Sequence, residues 1–289
     1  MKERSYSFLA LYIGSSKLVA LRAQTGAQGQ PQIESWQKRE PKGFEKGLII
    51  DSESAAETVG DLLQAVAGPK PFGQYPLYVC LSNAQIKSYP VSTSLYFPMV
   101  KTIRSENVTQ VMRQTKTVAT LPLDEVIFRT VPQEYLVNDL VEIRNPVGLE
   151  GKRLGVAAHL FTLPVTAHRA FANLFDRLEI ETEGMFPRGL GSTSAVLDEE
   201  ERREGVLLLE MGADLSELLL FHHGSLRYHR IFPVGGESIT RRVASEWGVP
   251  LKQARRLKEA FASLDPEEEV SGEETIPFTD EGGGISLKL

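Results

Sequence analysis

Two short glycine turns, each following an apolar run, are the features of this sequence best suited to holding a ligand. The first is Ile13-Gly14-Ser15-Ser16-Lys17, behind Phe8–Ile13; the second lies within Glu210-Met211-Gly212-Ala213-Asp214-Leu215-Ser216-Glu217, behind Val206–Leu209. A turn of this kind points backbone N–H groups inward as an anion nest, and glycine permits close backbone approach. The chemistry they suggest is the binding of phosphate oxygens. Other reactive side chains read as structural. Cys80 is the single cysteine and sits in the apolar run Leu77–Leu81, so it reads as a buried thiol, with no internal disulfide and no multi-cysteine zinc site. His222 and His223 flank a turn, with His229 just beyond, and read as an exposed bend rather than a metal site. Ser192-Thr193-Ser194 reads as a helix cap, and Gly189-Leu190-Gly191 is too short for a dinucleotide motif.

The turns need strands to position them. Phe8–Ile13 and Lys17–Ala23 alternate as a hairpin, with Ile33–Gln37 as a third strand. A helix follows, capped by Asp51 or by Ser54 with Glu57, and it stops at Gly68-Pro69. Tyr78–Leu81 is a short buried strand. From about Ala84 the texture changes: Gln85–Phe97 is extended, Ser105 caps a helix through Ala119, and Val126–Val137 and Leu154–Leu163 read as strands. That is a β-α-β-β unit set into the chain. Val165–Leu178 is an amphipathic helix, followed by a strand at Glu183–Phe186 and a helix through Ser192–Glu200. The charged run Asp198–Glu204 reads as a linker. Then the opening plan repeats: strand, glycine turn, strand, a third strand at Leu226–Phe232, and two helices, Glu237–Trp247 and Pro250–Leu264. The basic residues of those helices, Arg241 to Lys258, read as a solvated face. Residues 265–289 are acidic and glycine-rich and are expected to be disordered.

Two blocks of three strands and helices, each opened by a glycine turn, form the plan of the actin/hexokinase/Hsp70 superfamily. In detail the chain resembles the bacterial cell-division FtsA family over Phe8 to Leu264. The resemblance rests on the first turn, on Gly47-Leu48-Ile49-Ile50-Asp51, on Gln85-Ile86-Lys87-Ser88 leading into the insert, and on Pro233-Val234-Gly235-Gly236. Most weight falls on Val131-Pro132-Gln133-Glu134-Tyr135 with Asn145-Pro146-Val147-Gly148 and Lys152-Arg153-Leu154, because phosphate turns are widely shared and the insert is not. The implied fold is α/β: actin-like (RNase H-like) lobes with an inserted SHS2-type subdomain and an incomplete second lobe. The implied domains are 6–83 with 164–204 as the first lobe, 84–163 as the insert, 205–264 as a partial second lobe, and 265–289 as the tail. The implied nucleotide-side residues are Gly14, Ser15, Ser16 and Lys17 from the first turn, Gly212 and Ser216 from the second, and Gly235, Gly236 and Lys258 from the second lobe.

The chain departs from the family where chemistry would be done. Tyr12 stands where the family has an Asp, and a neutral phenol lacks the charge that organises Mg²⁺. In the second turn Ala213 and Asp214 stand where the family has glycines, and Leu215 replaces a hydroxyl. A carboxylate against a phosphate at roughly 4 Å costs on the order of 4 kcal/mol at an effective dielectric near 20. The family's Glu falls at Arg255. The expectation is therefore a scaffold rather than an enzyme, with no cofactor; ATP with Mg²⁺ and at most weak hydrolysis is the alternative, and a PilM-like pilus scaffold is another. Expected partners are other division proteins, through the insert, and further copies of the chain. FtsZ is doubtful, because the subdomain that the family uses for it, and the family's amphipathic membrane helix, match no residues here. A net charge of −6 argues against nucleic acid. The expected location is the cytoplasm, at or near the inner face of the membrane.

Overall fold

Period-two alternation builds the first sheet. The structure, a computed structural model, describes residues 6–26, 30–262, 275–280 and 283–288, the last two as backbone. β1 (Ser7–Ile13) and β2 (Leu18–Thr25) form an antiparallel hairpin in which Ile13 faces Leu18 across the turn. Leu9, Leu11 and Ile13 share one face and are fully buried. β3 (Pro31–Arg39) pairs with β2. A two-residue ladder, β4 (Phe44–Glu45) and β5 (Leu48–Ile49), leads to α1 (Ser52–Ala67). Asp51 is the cap: one carboxylate oxygen accepts the N–H groups of Glu53 and Ser54 at 3.0 and 3.2 Å. β6 (Leu77–Leu81) runs parallel to β1.

The insert has its own sheet and its own core. β7 (Lys87–Thr102), α2 (Ser105–Val118), β8 (Glu125–Val137), β9 (Leu140–Ile143) and β10 (Glu150–Pro164) follow in order, and the strands lie β7-β10-β8-β9. β9 is one strand more than the expected β-α-β-β. It folds back from β8 through Asn138, which takes a positive φ of 53° and accepts the N–H groups of Lys152 and Arg153. Ser105 is the first helical residue rather than the cap; Asn107 instead accepts the Arg104 N–H at 3.1 Å. Ile103, Val111, Tyr135, Val137, Leu154 and Val156 form a cluster distinct from the main core. At the base of the insert the Glu125 carboxylate binds Lys87 Nζ and Thr162 Oγ1, both at 2.6 Å, and Tyr89 Oη at 3.2 Å. Burial raises its pKa, but the hydrogen bonds from Lys87, Thr162 and Tyr89 outweigh that and hold it below the usual carboxylate range.

α3 (Val165–Arg177) buries Phe171, Leu174 and Phe175, and β11 (Thr182–Pro187) joins β6 in parallel, completing the sheet β11-β6-β1-β2-β3. The single helix expected to Glu200 is two: α4 (Arg188–Val196) and α5 (Glu199–Glu204). Asp198 and Glu201 exchange side-chain-to-backbone hydrogen bonds of 2.8 and 2.9 Å, so the charged run is a capped helix and not a linker. Ser192 and Thr193 lie inside α4, where the Thr193 hydroxyl donates to the Leu190 carbonyl at 2.9 Å, and cap nothing.

β12 (Val206–Met211), β13 (Ser216–His222) and β14 (Ser225–Phe232) form a three-stranded antiparallel sheet. Leu219, Phe221 and Leu226 enter the same core as Leu9 and Leu11. Compactness accordingly divides the chain into Met1–Pro233 and Val234–Leu289, rather than at the expected boundary near 205, because the apolar face of this sheet is spent on the first core. The second unit holds α6 (Gly236–Trp247) and α7 (Leu251–Phe261), joined through Gly248 at φ 65° and packed through Val249, Ala254 and Leu257. Part of the expected disordered tail is ordered: β15 (Thr275–Asp280) and β16 (Gly283–Lys288) pair antiparallel. Both are alternating segments, with Ile276 and Phe278 in one and Ile285 and Leu287 in the other, and a glycine-rich stretch lies between. The rest of 265–289 lies outside the described residues.

Candidate functional site

The two glycine turns do converge. A cavity of about 650 Å³ is lined by Tyr12, Ser15, Ser16, Lys17, Cys80, Arg188, Ser192, Glu210 and Gly212, among others. Each turn closes on itself: the Gly14 N–H donates to the Lys17 carbonyl at 3.1 Å and the Gly212 N–H to the Leu215 carbonyl at 2.8 Å. Ser216 opens β13 and is buried opposite Met211, outside the lining. Gly235, Gly236 and Lys258 belong to the second unit, where Lys258 Nζ donates to the Gly236 carbonyl at 3.0 Å and to Thr240 Oγ1 at 2.9 Å. Arg255 pairs there with Glu237 at 2.9 Å.

The centre of the cavity is a residue that the sequence did not flag. Arg188, the first residue of α4, is 6% exposed. Its Nη2 donates to the Glu210 backbone carbonyl at 3.0 Å. Its Nε lies 2.9 Å from Glu210 Oε1 and 3.7 Å from Glu217 Oε2. The Nε–H does not point along either line, so these are charge contacts rather than directed hydrogen bonds. The Tyr12 hydroxyl lines the same cavity and interacts with the guanidinium. Burial works against the Arg188 charge, but the Tyr12 hydrogen bond and the fields of Tyr12, Glu210 and Glu217 outweigh it and raise its pKa. Burial pushes the Tyr12 phenol up, with the Arg188 hydrogen bond opposing, so Tyr12 is neutral at physiological pH. Cys80, beside them, is pushed up to about 12, first by burial and then by Glu217 and Glu210, and is a thiol rather than a nucleophile.

Glycine is needed here, but for a different occupant. A Cβ on Gly14 would lie 2.5 Å from Tyr12 Oη, because the phenol folds over the first turn. A Cβ on Gly212 would lie 2.6 Å from Arg188 Nη1, and one on Gly189 would lie 2.7 Å from Glu217 Oε1. At these glycines the chain's own side chains occupy the space that a Cβ would take. The charge already in this site works against a further cation. The acidic group it would use, Glu210, is engaged by Arg188, and each unit of added positive charge at roughly 4 Å from the guanidinium costs on the order of 4 kcal/mol at an effective dielectric near 20.

Behind Arg188 the polar network continues into the core. Glu217 is 1% exposed and its Oε1 lies 2.7 Å from His229 Nε2. The His229 ring meets Phe161 edge-on at 5.0 Å. His229 therefore belongs to the core, not to the exposed bend with His222 and His223. His159, bonded through Nδ1 to Ser88 Oγ at 2.9 Å, is lowered to about 4, by burial first and then by the field of His229. Among the described residues no cluster of His, Cys, Asp and Glu is arranged to hold a metal ion.

The motif that carried most weight has a structural role of its own. Gln133 joins the insert to the β13–β14 hairpin: its Oε1 accepts the Leu226 N–H and its carbonyl accepts Ser225 Oγ at 3.1 Å. Glu134 pairs with Arg227 at 3.3 Å. Asn145 accepts the Val147 N–H at 3.1 Å, and Gly148, at φ 93°, donates to the Ile103 carbonyl at 2.9 Å, closing the loop onto the end of β7. The two outer strands of the insert sheet expose apolar side chains: Tyr96, Met99 and Val100 on β7, Leu140 and Val141 on β9.

Comparison with known proteins agrees with this architecture. Residues 83–162 match the family described as the SHS2 domain inserted in FTSA, and residues 207–287 match the family of cell division protein FtsA. Cell division protein FtsA of Pseudomonas aeruginosa is 25% identical over 257 residues, 88% of this chain and 60% of that protein. FtsA of Borreliella burgdorferi is 26% identical over 252 residues, 86% of this chain and 60% of that protein. The chain thus spans about 60% of the length of these curated relatives. Among solved structures, the PilM–PilN type IV pilus biogenesis complex contains a chain that superposes with a TM-score of 0.63 at 19% identity, covering 88% of this chain and 69% of that one. That likeness concerns the actin-like fold alone.

Proposed function

This chain is an FtsA-like protein, and from that premise we propose that it is a cell-division scaffold whose inserted subdomain docks other division proteins, while its cleft neither binds Mg–ATP nor hydrolyses it. One observation carries the reading: an insert with its own core and exposed apolar outer strands accompanies a cleft in which Tyr12 crowds Gly14 and Arg188 crowds Gly212 and pairs with Glu210. Outer strands offer unpaired backbone groups, and apolar side chains on them give a partner both main-chain hydrogen bonds and pockets. The work is in the cytoplasm, at the inner face of the cell membrane. Among the described residues no helix is long and apolar enough to cross a membrane. The match of residues 83–162 to the FtsA insert favours this reading over a pilus scaffold.

The test is a panel of division proteins, and the chain itself as a partner, screened for capture by the full chain and by Met99→Asp/Leu140→Asp. We expect at least one partner to be captured by the parent and lost at least tenfold by the double variant, with melting unchanged. Equal capture by both would remove the insert from the reading. Titration calorimetry with Mg–ATP examines the other half, and micromolar binding would restore the ATPase alternative.

A further inference from the structure

We propose that Arg188 is a tethered cation that stands in for a metal-bound ligand, bridging the two sheets that face the cleft and fixing them in one state with nothing bound. The inference rests on the inert-cleft half of the proposed function and deepens it. Arg188 follows β11 of the first sheet directly and its guanidinium contacts two strands of the other, Glu210 on β12 and Glu217 on β13, while Tyr12 of β1 lines the same cavity. A bridging ligand in such a cleft must touch the same two sheets. The contact is buried at both charged ends, Arg188 at 6% and Glu217 at 1% exposure, and charges are kept in such a place only when paired. Room for the bridge is built into the backbone, since the Cβ atoms absent at Gly14, Gly212 and Gly189 would collide with Tyr12, Arg188 and Glu217 in turn. Planarity suits the role: one guanidinium presents five N–H donors in a fixed fork and reaches a carbonyl and two carboxylates together.

A bridge of this kind has a specific consequence. Removing the Arg188 side chain leaves Glu210, Glu217 and the Tyr12 hydroxyl around a space shaped for a small cation. The Arg188→Ala variant of the full chain should therefore melt lower than the parent and regain several degrees in millimolar methylguanidinium, at matched ionic strength, while the parent is unmoved by the same salt. The rescue is a mass-action effect and should saturate. Potassium chloride at the same ionic strength is the control.

An unchanged melting temperature in Arg188→Ala, or a methylguanidinium response equal to that of the parent, would overturn the proposal. Should Arg188→Ala fail to fold, Arg188→Ala/Glu210→Gln decides: better recovery of soluble protein than the single variant supports a charge bridge, and no better recovery overturns it. Mg–ATP titrated into the parent is the third arm, and saturable micromolar binding there would also overturn the bridge. Partner capture by the insert is read separately on the parent chain, so a failed bridge and a failed scaffold are told apart.

Discussion

The insert and the cleft resemble the same family, yet they keep different things. In the insert, the quoted motifs and the reasons for them are intact: Gln133 holds the β13–β14 hairpin, Asn145 and Gly148 close the loop onto β7, and a separate core supports them. In the cleft, two self-closed turns keep their glycines, and those glycines admit Tyr12 and Arg188. Backbone geometry and ligand chemistry are therefore separable. A turn can keep its glycine for packing after its ligand contacts are gone, so glycine alone says little about binding.

The largest effect should come from the charge that Arg188 and His229 share. Glu217→Ala leaves Arg188 with fewer partners in a buried place and strips His229 of its acceptor. Breaking a buried pair from one side costs about 3–5 kcal/mol. Urea unfolding should show that loss, with Glu217→Gln losing less because it keeps an acceptor for His229. If Glu217→Ala were as stable as the parent, the cleft would be as loosely held as an ordinary open surface, and the contrast with the insert would vanish.

Acid should weaken the fold through His159. Its native pKa of about 4 lies below the unfolded value of about 6.5, so between these the unfolded chain binds a proton that the native chain refuses. That contribution is complete above pH 6.5 and is lost as pH falls toward 4, on the order of 3 kcal/mol over the whole window. Stability measured at pH 7 and pH 4.5 should differ accordingly, and His159→Phe should flatten the slope. His159 lies on β10, which contributes to both the main core and the core of the insert.

Much of this architecture was legible because it is local. Hairpins announce themselves by period-two alternation, and α1 and α3 by caps and apolar stripes. The outline of the insert was legible too, from strand, helix and strand texture. Arg188 was not, because its partners at 12, 210 and 217 are distant in sequence and an arginine after a strand carries no pattern. His229 was misjudged for the same reason: neighbours 222 and 223 suggested a bend, while its real partners, Glu217 and Phe161, come from other strands. β9 escaped because four residues, Leu140–Ile143, are too few to show a period. The helix break at Leu197-Asp198 was legible in principle, since Asp198 and Glu201 form a capping box, but the run of acids suggested solvent instead. Tyr12 could be seen as a departure from sequence; that its ring covers Gly14 could not.

Gln133→Ala addresses the joint between the two regions. It leaves the Leu226 N–H without its acceptor, a loss of about 1–3 kcal/mol for a buried donor. The expected signature is a loss of cooperativity: the insert, with its own core, should keep slow amide exchange in β8 and β10 while β13 and β14 exchange faster. Uniform acceleration in both sheets would mean that the insert is not separately held.

The smallest effect should be at the Glu134–Arg227 pair, which spans the same joint 3.3 Å apart with side chains 19% and 34% exposed. Water competes for such a pair, and a double-mutant cycle on Glu134→Ala and Arg227→Ala should return a coupling of about 0.2–1 kcal/mol. Arg227 also donates to the His222 carbonyl at 3.2 Å, so Arg227→Ala alone should cost more than Glu134→Ala alone. A coupling well above 1 kcal/mol would mean that the joint is desolvated and electrostatic. The insert would then be held to the hairpin by the kind of buried charge that holds the cleft, and the two regions would differ in residues but not in principle.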